Sequence, residues 1–187
     1  MRFPLIPSII VAGAIATMIA LGIWQLGRAD EKEALLASYA AAQDNPDPVA
    51  FPSPGEEAEL ALYRRASVDC ATVRAIETRG ATSESGAKGW AHYAECTLAD
   101  GGEAEVALGF SRDPQAIAWD GGEATGIIGP GPKLVADPAL AGLDPLAKPD
   151  PADIPNNHLA YAGQWFFFAL TALIIFVLAV RRKSRGL

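Results

Sequence analysis

Asn156-Asn157-His158-Leu159-Ala160-Tyr161-Ala162-Gly163-Gln164-Trp165 opens the second of two apolar runs in this chain. One histidine stands at its mouth, and no charged residue follows from Leu159 to Val180. At a helical rise of about 1.5 Å per residue, that run extends roughly 33 Å, enough to cross a bilayer. An imidazole is costly to place at the edge of hydrocarbon, so its presence points to a function. The rest of the chain reads as a second span and a folded domain that serve this position.

Towards the amino terminus, residues 3–26 form the first apolar run, preceded by Arg2. Ala14-Ile15-Ala16 resembles a small-residue cleavage site, but the run continues to Leu26, too long for the core of a signal peptide. Uncleaved transmembrane helices are therefore expected over 3–26 and 158–180. Arg181, Arg182, Lys183 and Arg185 crowd the tail at 181–187. Positive charge beyond both spans puts the termini in the cytoplasm or matrix. The intervening residues then face the periplasm or intermembrane space.

Charge is sharply segregated. All 22 acidic residues lie between Asp30 and Asp153, and only ten of the 15 basic ones lie within 27–157, so that region carries −12. Phosphate contacts demand a basic surface, which excludes nucleic acid as a partner of this region. Half of the 187 residues are apolar and one in five is charged. That mixture suits membrane helices attached to one polar domain better than a polytopic bundle.

Between the spans the sequence changes period. Residues 27–45 read as a helical extension of the first span, with Arg28, Glu31 and Lys32 at i, i+3 and i+4. Asn45-Pro46-Asp47-Pro48 stops it, and Phe51-Pro52-Ser53-Pro54-Gly55 prolongs the break. Residues 56–61 add a helical turn. Strands are then expected at 63–70, 72–78, 90–98, 103–110, 126–128 and 134–136, with turns at Asp100-Gly101-Gly102 and Gly129-Pro130-Gly131-Pro132. The expected fold is α+β: a transmembrane helix hairpin carrying a small antiparallel β-barrel or roll over 46–136. A proline-rich segment, 137–157, returns the chain to the membrane as extended backbone.

Cys70 and Cys96 are the only cysteines, and both fall on expected strands on the oxidising side. A structural disulfide is the favoured reading; free thiols, a redox pair or a copper or zinc dithiolate are the others. The bond would close a 26-position loop and contribute roughly 3 kcal/mol. His92 shares strand parity with Cys96 and reads as a strand residue rather than a ligand. The chain has no phosphate loop, no dinucleotide glycine fingerprint and no Cys-x-x-Cys-His. Its carboxylates show no catalytic spacing, and an enzyme is not supported.

Folding the spans into a hairpin brings their outer ends to one depth. The first contributes Gly22, Trp24, Gln25 and Arg28; the second contributes His158, Tyr161, Gln164 and Trp165. His158, Tyr161 and Trp165 share a helical face at i, i+3 and i+7, and Trp24 and Arg28 share one at i, i+4. Together they frame a pocket with an imidazole, aromatic walls and a cation. The plainer alternative is an interfacial aromatic belt, with Arg28 paired to Glu31 on its own helix.

Leu21-Gly22-Ile23-Trp24-Gln25-Leu26-Gly27-Arg28-Ala29-Asp30-Glu31-Lys32 resembles the first-span signature of the surfeit-locus family of cytochrome c oxidase assembly proteins. Residues 155–166, with His158, Tyr161, Ala162, Gln164 and Trp165, resemble that family's second-span signature. Tyr63-Arg64-Arg65, Gly86-Ala87-Lys88-Gly89-Trp90 and Asp100-Gly101 follow in the family's order. The chain departs from the family at Ala107-Leu108-Gly109-Phe110-Ser111-Arg112, where an Asn-Arg-Gly-Trp-like sequence is usual.

The resemblance implies a two-span inner-membrane protein that assists oxidase biogenesis. Its implied partners are the oxidase subunits, chiefly the catalytic one, the enzymes of haem a synthesis, and the lipid bilayer. It also implies haem a as cofactor, with His158 as iron ligand. An imidazole among aromatic side chains suits haem iron. On this reading Trp24, Tyr161 and Trp165 pack around the macrocycle with Gln25 and Gln164 nearby, and Arg28 pairs with a propionate. The competing expectation is an accessory subunit, stably docked on the oxidase or a respiratory supercomplex, without haem of its own.

Overall fold

Nothing between Leu26 and Gln43 breaks a helix, and the computed structural model, which describes residues 5–52 and 56–185, shows none broken. Helix α1 runs Leu5–Gln43 without interruption. It ends before Pro46 and Pro48, where Asn45 Oδ1 accepts a 2.9 Å hydrogen bond from the Asp47 amide and turns the chain. There follow β1 (Val49–Ala50), α2 (Glu56–Leu60), β2 (Arg65–Thr82), β3 (Lys88–Leu98), β4 (Glu103–Ser111), β5 (Gly122–Gly129) and β6 (Lys133–Ala136). A 3-10 turn, Pro151–Asp153, precedes α3 (His158–Arg185). Arg2, the expected start of the first span, the Ser53-Pro54-Gly55 part of the break and the last two tail residues lie outside the described residues.

The chain forms two compact units: residues up to Leu36 together with those from Ile154 onward, and Ala37–Asp153. In the first, α1 and α3 each hold an apolar window of mean hydropathy 2.2, of which only 6% is buried. Both are long and apolar enough to cross a bilayer. A core helix of a soluble protein would hide most of such a surface.

The second unit is built on one six-stranded sheet, ordered β1-β2-β3-β4-β6-β5, with β5 pairing back onto β2. The expected antiparallel arrangement is corrected here. β1 lies parallel to β2 and β6 parallel to β4, so the sheet is mixed. The β4–β6 pair follows from the β5–β6 hairpin, which inserts its second strand beside β4 while its first reaches β2.

A second correction concerns the two strands expected on either side of Ala71. They are a single strand, β2, whose register shifts between Cys70 and Thr72 and again between Val73 and Ala75. The irregularity bends the strand rather than ending it. Residues 65–70 pair with β5 and residues 70–82 with β3, so β2 changes partner where it bends.

The sheet buries Val68, Cys70, Ala94, Cys96, Ala104, Val106, Leu108, Ile128 and Leu134. A separate cluster of Ala91, Ala107, Phe110, Val135 and Leu146 draws its last member from the proline-rich segment. That segment does more than return the chain. Leu140 N–H donates to Leu108 O at 2.8 Å, and Phe110 and Asp144 exchange backbone bonds of 2.7 and 3.0 Å. The Ala147 amide then reaches Thr82 O at 3.0 Å. Prolines alternate with free amides here, so the segment pairs with sheet edges although it forms no regular strand.

Cys70 and Cys96 form a disulfide, with Cα atoms 5.3 Å apart and both side chains buried. The bond occupies both thiols, which closes the free-thiol and dithiolate readings. His92 is fully buried on β3, with Nδ1 3.4 Å from Thr78 Oγ1. It is a core strand residue.

Candidate functional site

The first unit is held together by small residues. On α1 the buried positions are Gly22 and Ala29, seven apart; on α3, Ala162 and Ala169 are buried at the same spacing. Close backbone approach of this kind drives helix association in lipid, where apolar burial gives no advantage over contact with acyl chains. The Phe166 ring lies over Gly22, its Cε1 2.6 Å from where a Cβ would stand. Asn156 Nδ2–H donates to the Ala29 carbonyl at 3.1 Å. Contacts from residue 22 to 166, 25 to 158 and 29 to 156 show the two helices running in opposite directions.

His158 begins α3. Asn157 just before it accepts the first helical bond through its carbonyl, from Tyr161 N–H at 3.2 Å. The imidazole is half-buried, and its Nδ1 lies 2.7 Å from Gln25 Oε1 on α1. A carboxamide oxygen only accepts, so a neutral imidazole that makes this bond carries its proton on Nδ1 and keeps the lone pair on Nε2. That is the tautomer in which a histidine ligates a metal through Nε2.

The remaining expected site residues are placed differently. Arg28 pairs with Glu31 one turn along α1, as the plainer reading has it. Trp24 and Tyr161 are 57% and 51% exposed, and Gln164 is exposed. Trp165 is half-buried and meets Phe168 edge-on, with centroids 6.2 Å apart. Hydrogen bonding thus joins Gln25 to His158, while Trp24 and Tyr161 present ring surface outward.

Sequence reasoning passed over the roles of Ala29, Ala162 and Phe166, and over the Asn156 clamp. The small residues repeating at seven-residue spacing were the available signal.

A family model described as the SURF1 family matches residues 12–81 and 71–170. This chain belongs to the SURF1 family. The matched residues include Trp24, Gln25 and Arg28 on α1 and His158, Tyr161, Gln164 and Trp165 on α3. SURF1 membership identifies it with the surfeit-locus family of cytochrome c oxidase assembly proteins and implies a role in that assembly. Comparison with curated proteins and with solved structures finds no match.

To a metal group, His158 of this SURF1-family chain can offer one imidazole nitrogen. Among the described residues no three His, Cys, Asp or Glu side chains gather as ligands, so His158 offers a single nitrogen. A bare zinc ion needs three or four protein ligands. Haem iron already has four from the macrocycle and asks only for an axial donor. Exposed aromatic surface on both helices, from Trp24 and Tyr161, suits a flat apolar ring system.

Proposed function

We propose that this SURF1-family chain is a two-span assembly factor of the bacterial or mitochondrial inner membrane. It holds haem a on His158 and hands it to the catalytic subunit of cytochrome c oxidase. The observation that carries the reading is the 2.7 Å contact between His158 Nδ1 and Gln25 Oε1 at the mouth of α3. When bound, haem a supplies the iron that the oxidase uses for electron transfer.

The chain's own residues bind and orient. His158 donates Nε2, and Trp24 and Tyr161 lend ring surface to the macrocycle. Trp165 and Gln164 lie on the same helix, one to two turns further in. Arg28 is half exposed and would exchange Glu31 for a propionate at little cost, because an exposed ion pair contributes little. Basic residues in the last turns of α3 favour termini in the cytoplasm or matrix and the sheet unit on the opposite side. There the acidic sheet unit faces the oxidase subunits and the enzymes that make haem a.

The test is purification of the tagged protein from membranes that make haem a, with a reduced-minus-oxidised spectrum and a subunit inventory. Haem a in the absence of oxidase subunits, lost in His158→Ala, is the expected result. Haem found only in proportion to oxidase subunits would replace the carrier with an accessory subunit.

A further inference from the structure

Gln25 stands on the α1 face that meets α3, one turn from Gly22 and one turn from Ala29, the two buried positions of that helix. Its oxygen is engaged by His158 Nδ1. The start of α3 is tied independently to α1 through Asn156 and the Ala29 carbonyl, so the imidazole approaches the carboxamide from a backbone anchored two residues before it. Either nitrogen of a neutral imidazole can carry the proton, and the bond made by one ring nitrogen decides the role of the other. With the proton on Nε2 the outward atom is a donor and cannot ligate iron.

We propose that Gln25 is a positioning residue: it holds the His158 proton on Nδ1 and thereby presents Nε2 as a ready lone pair, without itself touching the cofactor. The inference rests on the reading of His158 as iron ligand and assigns Gln25 its part in it. A carboxamide does this without adding charge. A carboxylate in its place would accept the same hydrogen bond and push more electron density onto the ring.

The experiment uses the full chain in detergent, as wild type, Gln25→Leu, Gln25→Glu and His158→Ala, with equal helicity by circular dichroism as the folding check. Nitrogen-15 NMR of the haem-free protein reads the tautomer. Only two histidines are present, and His158→Ala assigns the signals. The Nδ1–H form is expected in wild type and Gln25→Glu, and a shift towards the Nε2–H form in Gln25→Leu.

Titration with haem a then gives affinity and midpoint potential. Gln25→Leu is expected to weaken binding about 10- to 100-fold, the usual cost of losing a ligand's hydrogen-bond partner. Gln25→Glu is expected to keep binding with a lowered potential. A wild-type tautomer in Gln25→Leu overturns the inference, as do wild-type affinity and potential in both Gln25 variants. Undiminished haem uptake by His158→Ala instead overturns the ligand reading, and the NMR arm then decides the tautomer by itself.

Discussion

The ring of Phe166 fills the space in which a side chain at Gly22 would begin, with Cε1, Cζ and Cδ1 all within 2.9 Å of the Cβ position. Any side chain at this position must displace the Phe166 ring. Gly22→Val is expected to force the helices apart and cost about 1–3 kcal/mol, as overpacking does. It should lower the thermal midpoint of the detergent-solubilised protein, and Gly22→Val/Phe166→Ala should recover most of the loss. An unchanged midpoint in the single variant would refute the contact.

Cys70 and Cys96 join β2 and β3 where β2 bends, with 2% and 0% of their surfaces exposed. A reductant reaches the sulfurs only when the sheet opens, so mild reducing agent should leave the bond intact in the native protein. Mass spectrometry after thiol alkylation checks this, and rapid labelling would revive a redox role. Cys70→Ser/Cys96→Ser should lower the stability of the sheet unit by about 3 kcal/mol through the lost loop constraint.

Hydropathy exposed both long helices because their runs carry no charge, and Pro46 marked the end of α1 because it cannot continue a helix. Other features depend on tertiary partners that a local pattern does not name. Leu134-Val135-Ala136 is a short apolar run, and only the closing of the sheet decides that it lies parallel to Val106 and Ala107. Ala71 looks like a gap between strands because a bulge and a break have the same local signature. At the site, His158 and Gln25 could be matched by depth along two helices. Whether Trp24 and Tyr161 turn inward depends on helix rotation, which a face shared with Arg28 at i, i+4 or with His158 at i, i+3 leaves open. The Arg28–Glu31 pair, by contrast, was legible from its spacing.

Burial of His92 pushes its imidazole below the ordinary 6.5, and Asp113 nearby pulls it part of the way back. The pull back comes first from a hydrogen bond to the Asp113 backbone, while Thr78 Oγ1 faces Nδ1. The unfolded chain therefore binds this proton more readily than the folded one. The sheet unit keeps its full stability above about pH 6.5 and loses some as pH falls from there towards the depressed folded value. Urea denaturation at several pH values should show the slope, and His92→Gln should flatten it. A slope identical in wild type and variant would assign the whole effect to carboxylates.

Gly109 on β4 shows why the proline-rich segment is part of the fold. A Cβ there would stand 2.6 Å from Leu143 Cβ and 2.9 Å from Asp144 O, on the segment that exchanges backbone bonds with Phe110. Gly109→Ala must push the segment off β4, and with it the Leu140 bond to Leu108 O. Amide hydrogen exchange at Phe110, Leu140 and Asp144 should quicken, with a stability loss of about 1–3 kcal/mol. Gly80 on β2 is the control, since a Cβ there meets nothing within 4 Å and its backbone is not left-handed. Gly80→Ala should be neutral or stabilising by about 0.4–1 kcal/mol, through the lost freedom of the unfolded chain. Equal effects of the two substitutions would mean that strand propensity alone, and not the docked segment, sets the cost at Gly109.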